Sequence, residues 1–264
     1  MLLREVEYTK PSSIAEALTN LAANDGARAL AGGQTLINVM KARAASPDVL
    51  VDLSGLEELK GIELGSDGTL SIGPMTTYTE LMDSAEARAR PILGEVCSKI
   101  ADVQVRNRGT IGGNVCANDP TNHLPPLMAA IGAELTITGA NGERTVPASD
   151  FFLGVYMTAV GQTELLTQIT IPAGKHDGFA AVTLGVDGTC IVNAAASMNG
   201  SLRIAIGCVD AVPVLIEAES PDTVRAAVRA AALHPPDDVH ASSEYRAHLA
   251  EVLAERAARQ AVGK

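Results

Sequence analysis

Apolar positions recur along this chain in two alternating periods, one suited to helices and one to strands. Residues 2–8 are predicted to be extended. Ile14, Ala17, Leu18 and Leu21 then follow at helical spacing behind Ser13 and Glu16, which stand three apart as a capping box. Asn24-Asp25-Gly26 closes that helix, and residues 27–30 read as a short strand broken by Gly32-Gly33. Residues 36–45 read as helix, and VLVDL at 49–53 as an apolar strand. The predicted order over residues 1–55 is strand, helix, strand, glycine pair, helix, strand.

Residues 56–172 continue the alternation. GIEL, TLSIG, ELTIT and LLTQITIP are strand candidates, with Ser66-Asp67-Gly68 and Asn141-Gly142 as tight turns. Thr77 and Glu80 form a second capping box, and helices are expected over residues 91–100 and in LPPLMAAIGA. Residues 173–264 change character. CIVNAAASM and LRIAIGCV straddle Asn199-Gly200 as a hairpin, and Ser220-Pro221-Asp222 starts a helix. SSEYRAHLAEVLAERAARQ is a final helix whose apolar face is predicted at Tyr245, Leu249, Val252 and Leu253.

Composition narrows the class. Of 264 residues, 47% are hydrophobic and 19% charged, the profile of a folded globular chain. With three Phe and no Trp, the core must be mainly aliphatic. A net charge of −11 argues against nucleic acid as a partner. No apolar run reaches membrane-spanning length and no signal peptide opens the chain, so a cytoplasmic location is expected. Cys97, Cys116, Cys190 and Cys208 are too scattered for a metal site or disulfide framework, and are expected to be reduced, buried thiols. No residue set suggests a catalytic triad or carboxylate pair.

The candidate chemistry lies in two glycine-rich stretches, LAGGQTL at 30–36 and RNRGTIGGNVCANDP at 106–120. A glycine pair between a strand and a helix admits unusual torsions and lets a ligand approach main-chain N–H groups. A helix starting there favours a phosphate. Neither stretch is a GxxxxGK[ST] or GxGxxG motif, so nucleoside triphosphatase and Rossmann readings are not indicated. Two such pairs, 80 residues apart, suit a dinucleotide diphosphate, or they are simply two tight turns.

AGGQTLINVMKARAASPDVLVDL and RNRGTIGGNVCANDPTNHLPPLMAAIGAEL resemble the paired flavin signatures of the FAD-binding subunits of the xanthine dehydrogenase family of molybdenum hydroxylases. The likeness is greatest to medium subunits of the aerobic carbon monoxide dehydrogenase type. It continues through GQTELLTQITIP to SEYRAHLAEVL, covering nearly the whole chain. It implies an α+β fold in which two α/β subdomains (1–55 and 56–172) clasp FAD in the PCMH-type manner. A C-terminal flavoprotein domain (173–264), a three-stranded antiparallel sheet with helices, would follow.

The resemblance also implies an oxidoreductase role. The chain would carry FAD as the electron-transfer subunit of a heteromeric hydroxylase, expected as a dimer of heterotrimers. A small subunit would hold iron–sulfur clusters, a large one the molybdenum–pterin centre, and an external acceptor would take the electrons. Ala29, Leu30, Ala31, Gly32, Gly33, Gln34 and Thr35 would wrap the diphosphate, completed by Thr110, Gly112, Gly113 and Asn114. Ala117 and Asp119 would follow the ribityl chain, with Ala101, Leu165 and Leu166 near the ring system. Arg106 and Arg108 could offset phosphate charge.

Two departures stand out. Where the family often has Asp before Leu-Pro, His123 stands here, still able to hydrogen-bond the cofactor. Where a basic stretch precedes the hairpin, this chain has AAVTLGVDGT, with Val182 and Thr183 in place of Lys, which leaves the acceptor open. The rival functions are a stand-alone FAD-dependent reductase with a related cofactor fold, and an interaction module with empty turns.

Overall fold

The computed structural model describes residues 3–185 and 188–263; Leu2, in the expected N-terminal extension, and Val186-Asp187, in the departing stretch, lie outside them. Strands Glu7–Thr9, Val49–Asp52 and Ala27–Leu30 form a parallel sheet with Val49–Asp52 in the middle. Parallel neighbours require crossovers, which helices Ile14–Ala22 and Leu36–Lys41 provide. The first of these is capped by Ser13, which accepts from the Glu16 N–H. The Glu16 carboxylate reaches one residue further back than a capping box requires, to the N–H and Oγ of Ser12. Leu36–Lys41 stops short of residue 45 because Arg43 takes φ +63, a left-handed torsion that no helix continues through.

The second sheet is antiparallel throughout, in the order Ile62–Leu64, Leu70–Ile72, Leu165–Ile171, Glu134–Gly139, Gly142–Pro147. Its last strand in sequence is its central one, so residues 73–133 fold as a helical excursion from the sheet. Helices Tyr78–Asp83, Ile92–Ser98, Ile111–Ala117 and Leu124–Ile131 share one core with it, and every residue of Leu124–Ile131 is buried. The Thr77–Glu80 capping box is complete, and Thr77 also bridges to Thr110 beside the second glycine loop. Thr77→Ala is therefore expected to lower stability by about 1 kcal/mol, read as a shift of the urea midpoint at constant slope.

The C-terminal sheet has four strands, where three were expected. Val214–Ala218 adds an edge to Asp177–Leu184, Thr189–Asn199 and Ser201–Gly207. The extra strand is short and half-buried, so its side chains carry little of the alternation that marks a strand. Gly200, at φ +84, turns the central hairpin as Asn199-Gly200 predicts. The 19-residue helix Ser243–Ala261 lies against this sheet. A Cβ on Gly178 would sit 2.1 Å from the Ala257 carbonyl oxygen, so helix and strand meet backbone to backbone. The buried face is Leu249, Ala250, Leu253, Ala254, Ala257, Ala258 and Ala261, whereas Tyr245 is half-exposed and Val252 only partly covered. The close approach selects alanines, which a reading weighted toward large apolar residues passes over.

Arg90 fastens the second sheet to the third. Its guanidinium donates to both Asp177 carboxylate oxygens at 2.8 Å, to the Pro172 carbonyl and to the Ser197 hydroxyl at 3.1 Å. Both ion-pair side chains are almost wholly buried. Among the described residues no helix is long and apolar enough to cross a membrane.

Candidate functional site

Strand Ala27–Leu30 runs into Ala31-Gly32-Gly33, where Gly33 takes φ +74. The loop then closes on itself: the Gln34 amide donates to the Gly32 carbonyl at 3.2 Å, and Asn38 donates to the Gln34 carbonyl at 2.7 Å. Thr35 enters the helix without a side-chain cap, and the Ile37 N–H donates instead to the Gly33 carbonyl at 3.2 Å. Ala29, Leu30, Ala31, Gly32, Gly33 and Gln34 are partly exposed and Thr35 is exposed.

The second stretch is held from both sides. Arg106 donates to the carbonyls of Ile100 and Ala101 at 2.9 and 2.7 Å, fixing Ala101 at φ +42. Its guanidinium thus braces a turn, and Arg108, the other arginine that could offset phosphate charge, is exposed on the surface. Gly109 lies against the ring of Tyr78, 2.6 Å from where its Cβ would be. Thr110 caps Ile111–Ala117, accepting from the Gly113 N–H at 3.0 Å. The Gly112 N–H donates to the Pro74 carbonyl at 2.9 Å, and a Cβ there would lie 2.3 Å from the Pro74 side chain.

The two loops touch. A Cβ on Gly32 would fall 2.1 Å from the Arg108 carbonyl oxygen and 2.9 Å from the Gly109 Cα; one on Gly113 would meet the Ala31 side chain at 3.4 Å. Gly32 is therefore bare first of all to let the loops join. The result is one cradle in which two helix starts meet. At its edge Asn114, 8% exposed, carries a buried Oδ1 that receives no hydrogen bond among the described residues. A buried acceptor without a donor costs about 1–3 kcal/mol, a cost that a hydroxyl-bearing ligand would remove.

Beyond the helix, Asn118 takes φ +40 and donates to the carbonyls of Gly154 and Met157 at 2.7 and 3.2 Å. Asp119 accepts from the Thr121 N–H and hydroxyl and, at 2.9 Å, from the Tyr156 hydroxyl. Partial burial, with the Asp119 carboxylate beside it, pushes the Tyr156 phenol up to about 12. Tyr156 is 58% exposed on the hairpin Phe152–Gly154 and Met157–Thr158. Asn118→Ala removes both carbonyl bonds, and a cost of about 2 kcal/mol is expected. Faster amide exchange over residues 152–158 than over the helix Ile111–Ala117 is the corresponding local signature.

Other expected site residues lie in the interior. His123 is 4% exposed; its ring tilts against Phe179 at 5.2 Å and its Nδ1 is 3.2 Å from the Asn193 amide nitrogen. Leu165 packs into the N-terminal core and Leu166 into the core of the second sheet. Ala117 is partly exposed beside Asn118. Tyr78, Asn122 and Asn193 escaped the sequence reading. Asn122 braces the Asn114 carbonyl at 3.1 Å, and its neighbour Asn193 stands fully buried in the apolar run CIVNAAASM, where a lone amide is the only signal.

Residues 4–174 match the family model described as the FAD binding domain in molybdopterin dehydrogenase. The chain is thus an FAD-binding flavoprotein of the oxidoreductase class. It is 37% identical to the carbon monoxide dehydrogenase medium chain of Afipia carboxidovorans, over 99% of this chain and 98% of that one. Its fold superposes with a TM-score of 0.92 on carbon monoxide dehydrogenase from Hydrogenophaga pseudoflava lacking the molybdopyranopterin moiety, at 34% identity, covering 100% of this chain and 99% of that one. Quinoline 2-oxidoreductase from Pseudomonas putida 86 gives 0.90 at 32% identity, covering 100% and 99%. The chain belongs to the family of FAD-binding medium subunits of molybdenum hydroxylases.

Proposed function

We propose that this chain is the electron-transfer subunit of a heteromeric molybdenum-containing hydroxylase. It receives electrons from iron–sulfur clusters on a small partner subunit and delivers them to an external acceptor. Substrate is oxidised at a molybdenum–pterin centre on a large partner, and the assembly is a dimer of heterotrimers. The relatives support this division of labour, since two of them carry carbon monoxide dehydrogenase names and one is specifically a medium chain. The observation that carries the reading is the contact of Gly32 with Arg108 and Gly109, which turns two glycine loops into one cradle.

In this reading the main-chain N–H groups of residues 32–35 bind the diphosphate, where the dipoles of the two helix starts favour negative charge, and Thr110, Gly112 and Gly113 complete the cradle by their close approach. Ala29, Leu30 and Ala31 form the floor. Asn114 offers its unpaired Oδ1 to a hydroxyl of the cofactor, and Ala117 and Asp119 flank the ribityl chain. Ala101, braced by Arg106, positions the ring end. His123, Leu165 and Leu166 support these contacts from within. FAD, when bound, supplies the capacity to take up electrons and pass them on; the chain supplies position and exclusion of water.

Affinity purification of the tagged chain from its native cells is expected to bring down two further polypeptides. FAD should be near one per chain, with iron, sulfide and molybdenum present. Flavin absorbance should bleach on substrate addition only in the complex. A chain that purifies alone and turns over a substrate with its own flavin would instead be a stand-alone reductase.

A further inference from the structure

Cys190 and Cys208 are 18 residues apart in the chain, but the hairpin of Thr189–Asn199 and Ser201–Gly207 folds them together. The ladder beside Cys190 is interrupted by a bulge against residues 182–183. Cys208, the first residue past its strand, takes φ +66. That left-handed torsion costs a residue with a side chain about 1–2 kcal/mol. One polar group joins the two thiols: the Asn193 amide nitrogen lies 3.3 Å from the Cys190 sulfur and 3.8 Å from the Cys208 sulfur.

This amide is unusually placed. Its two hydrogens face four possible acceptors, the two sulfurs, the Asn122 carbonyl at 3.1 Å and the His123 ring nitrogen at 3.2 Å. Its own oxygen is buried without a donor among the described residues. A structural thiol pair needs no such donor, because neutral cysteine packs as a small hydrophobe. A sulfur that acquires negative charge does need one. In keeping with that, the Cys190 thiol is pulled down, chiefly by Cys208 and against burial, with His123 and Asn193 helping, while Cys208 rises well above its ordinary value. Cys97 and Cys116 lie in the apolar core or packed against it, and burial pushes each up to about 12. Cys208, 5% exposed, also lines a crevice with Asn118, Asp119, Pro126, Asp210 and Val212, which places the pair next to the cofactor loop.

We propose that Cys190 and Cys208 are a redox-active dithiol that closes to a disulfide when a hydroperoxide, such as hydrogen peroxide, enters this crevice. One thiolate sulfur attacks a peroxide oxygen; the O–O bond breaks, leaving a sulfenic acid and a hydroxide that takes up the released proton as water. The second sulfur then attacks the first. The S–S bond forms, the S–O bond breaks, and the departing hydroxide leaves as a second water with the second thiol's proton. Two thiols and one peroxide become one disulfide and two waters, with two electrons passing from sulfur to oxygen.

The test uses the intact reduced chain. Denatured before treatment it should show four free thiols, and after brief exposure to equimolar hydrogen peroxide two. Trypsin cuts after Arg203, between the two cysteines, so non-reducing peptide mapping should recover the segments of Cys190 and Cys208 joined, and dithiothreitol should part them. Loss of these two thiols should be about tenfold or more faster than loss of Cys97 and Cys116. In Cys208→Ser no joined peptide should form, and dimedone should label Cys190. Survival of all four thiols in the wild-type chain, or a link to Cys97 or Cys116, overturns the proposal. So does an undiminished loss of two thiols in Cys208→Ser.

Discussion

Gly32→Ala is expected to weaken FAD binding by about 10- to 100-fold while leaving most of the secondary structure in place. The new methyl would fall 2.1 Å from the Arg108 carbonyl oxygen and 2.9 Å from the Gly109 Cα, both main-chain atoms that cannot swing aside. The loops must part. Overpacking of this kind costs about 1–3 kcal/mol, and each 1.4 kcal/mol taken from the cradle is about tenfold in affinity. Gly113→Ala is the informative contrast. Its methyl would meet the Thr110 hydroxyl at 2.8 Å and the Ala31 side chain at 3.4 Å. The hydroxyl can rotate away at the cost of its cap, about 1 kcal/mol, so a loss of only about fivefold is expected. Titrating each apo variant with FAD by flavin fluorescence, with circular dichroism as the fold control, separates them. Wild-type affinity in Gly32→Ala would mean that the contact between the loops does not govern the cofactor site.

The largest expected loss of stability is at Arg90. Replacing it by Met leaves the Asp177 carboxylate, 3% exposed, without its bidentate partner, while the Pro172 carbonyl and the Ser197 hydroxyl each lose a donor. Removing one member of a buried pair costs about 3–5 kcal/mol, which for a chain of this size lowers the melting temperature by on the order of 10 °C. Adding Asp177→Asn should restore a large part, because the uncompensated charge, rather than the lost attraction, dominates the cost. Differential scanning calorimetry of the single and double variants decides it. A single variant within about 1 °C of wild type, or a double variant less stable than the single, would show that the charge is not what Arg90 holds in check.

Much of the fold is legible because its signals are short-range. Ser13 and Thr77 open helices through contacts three residues away, and Gly200 and Gly142 turn hairpins through their own torsions, φ +84 and +103. The first five elements follow the predicted order, because strand, helix and glycine pair each carry their own period and breaker. Where the reading failed, distant parts of the chain decided. Val214–Ala218 becomes a strand because a neighbouring strand offers it an edge, and Tyr245 faces outward because Gly178 and the alanines let the helix settle on another face. Arg106, which the sequence offers either as a counter-charge to phosphate or as a solvated residue, spends its donors on two main-chain carbonyls five and six residues earlier.

By itself the amino-acid sequence determined the order of the first five elements, that two bare stretches of main chain precede helices, and through its paired motifs which family the chain belongs to. These depend on torsions and contacts spanning a few residues. Only the tertiary structure decided that Gly32 lies on Arg108, that Arg90 reaches Asp177 across 87 residues, and that Cys190 and Cys208 share the amide of Asn193. Side-chain chemistry across such separations is set by how sheets and helices pack, and a pattern with a period of two or 3.6 residues carries no record of it.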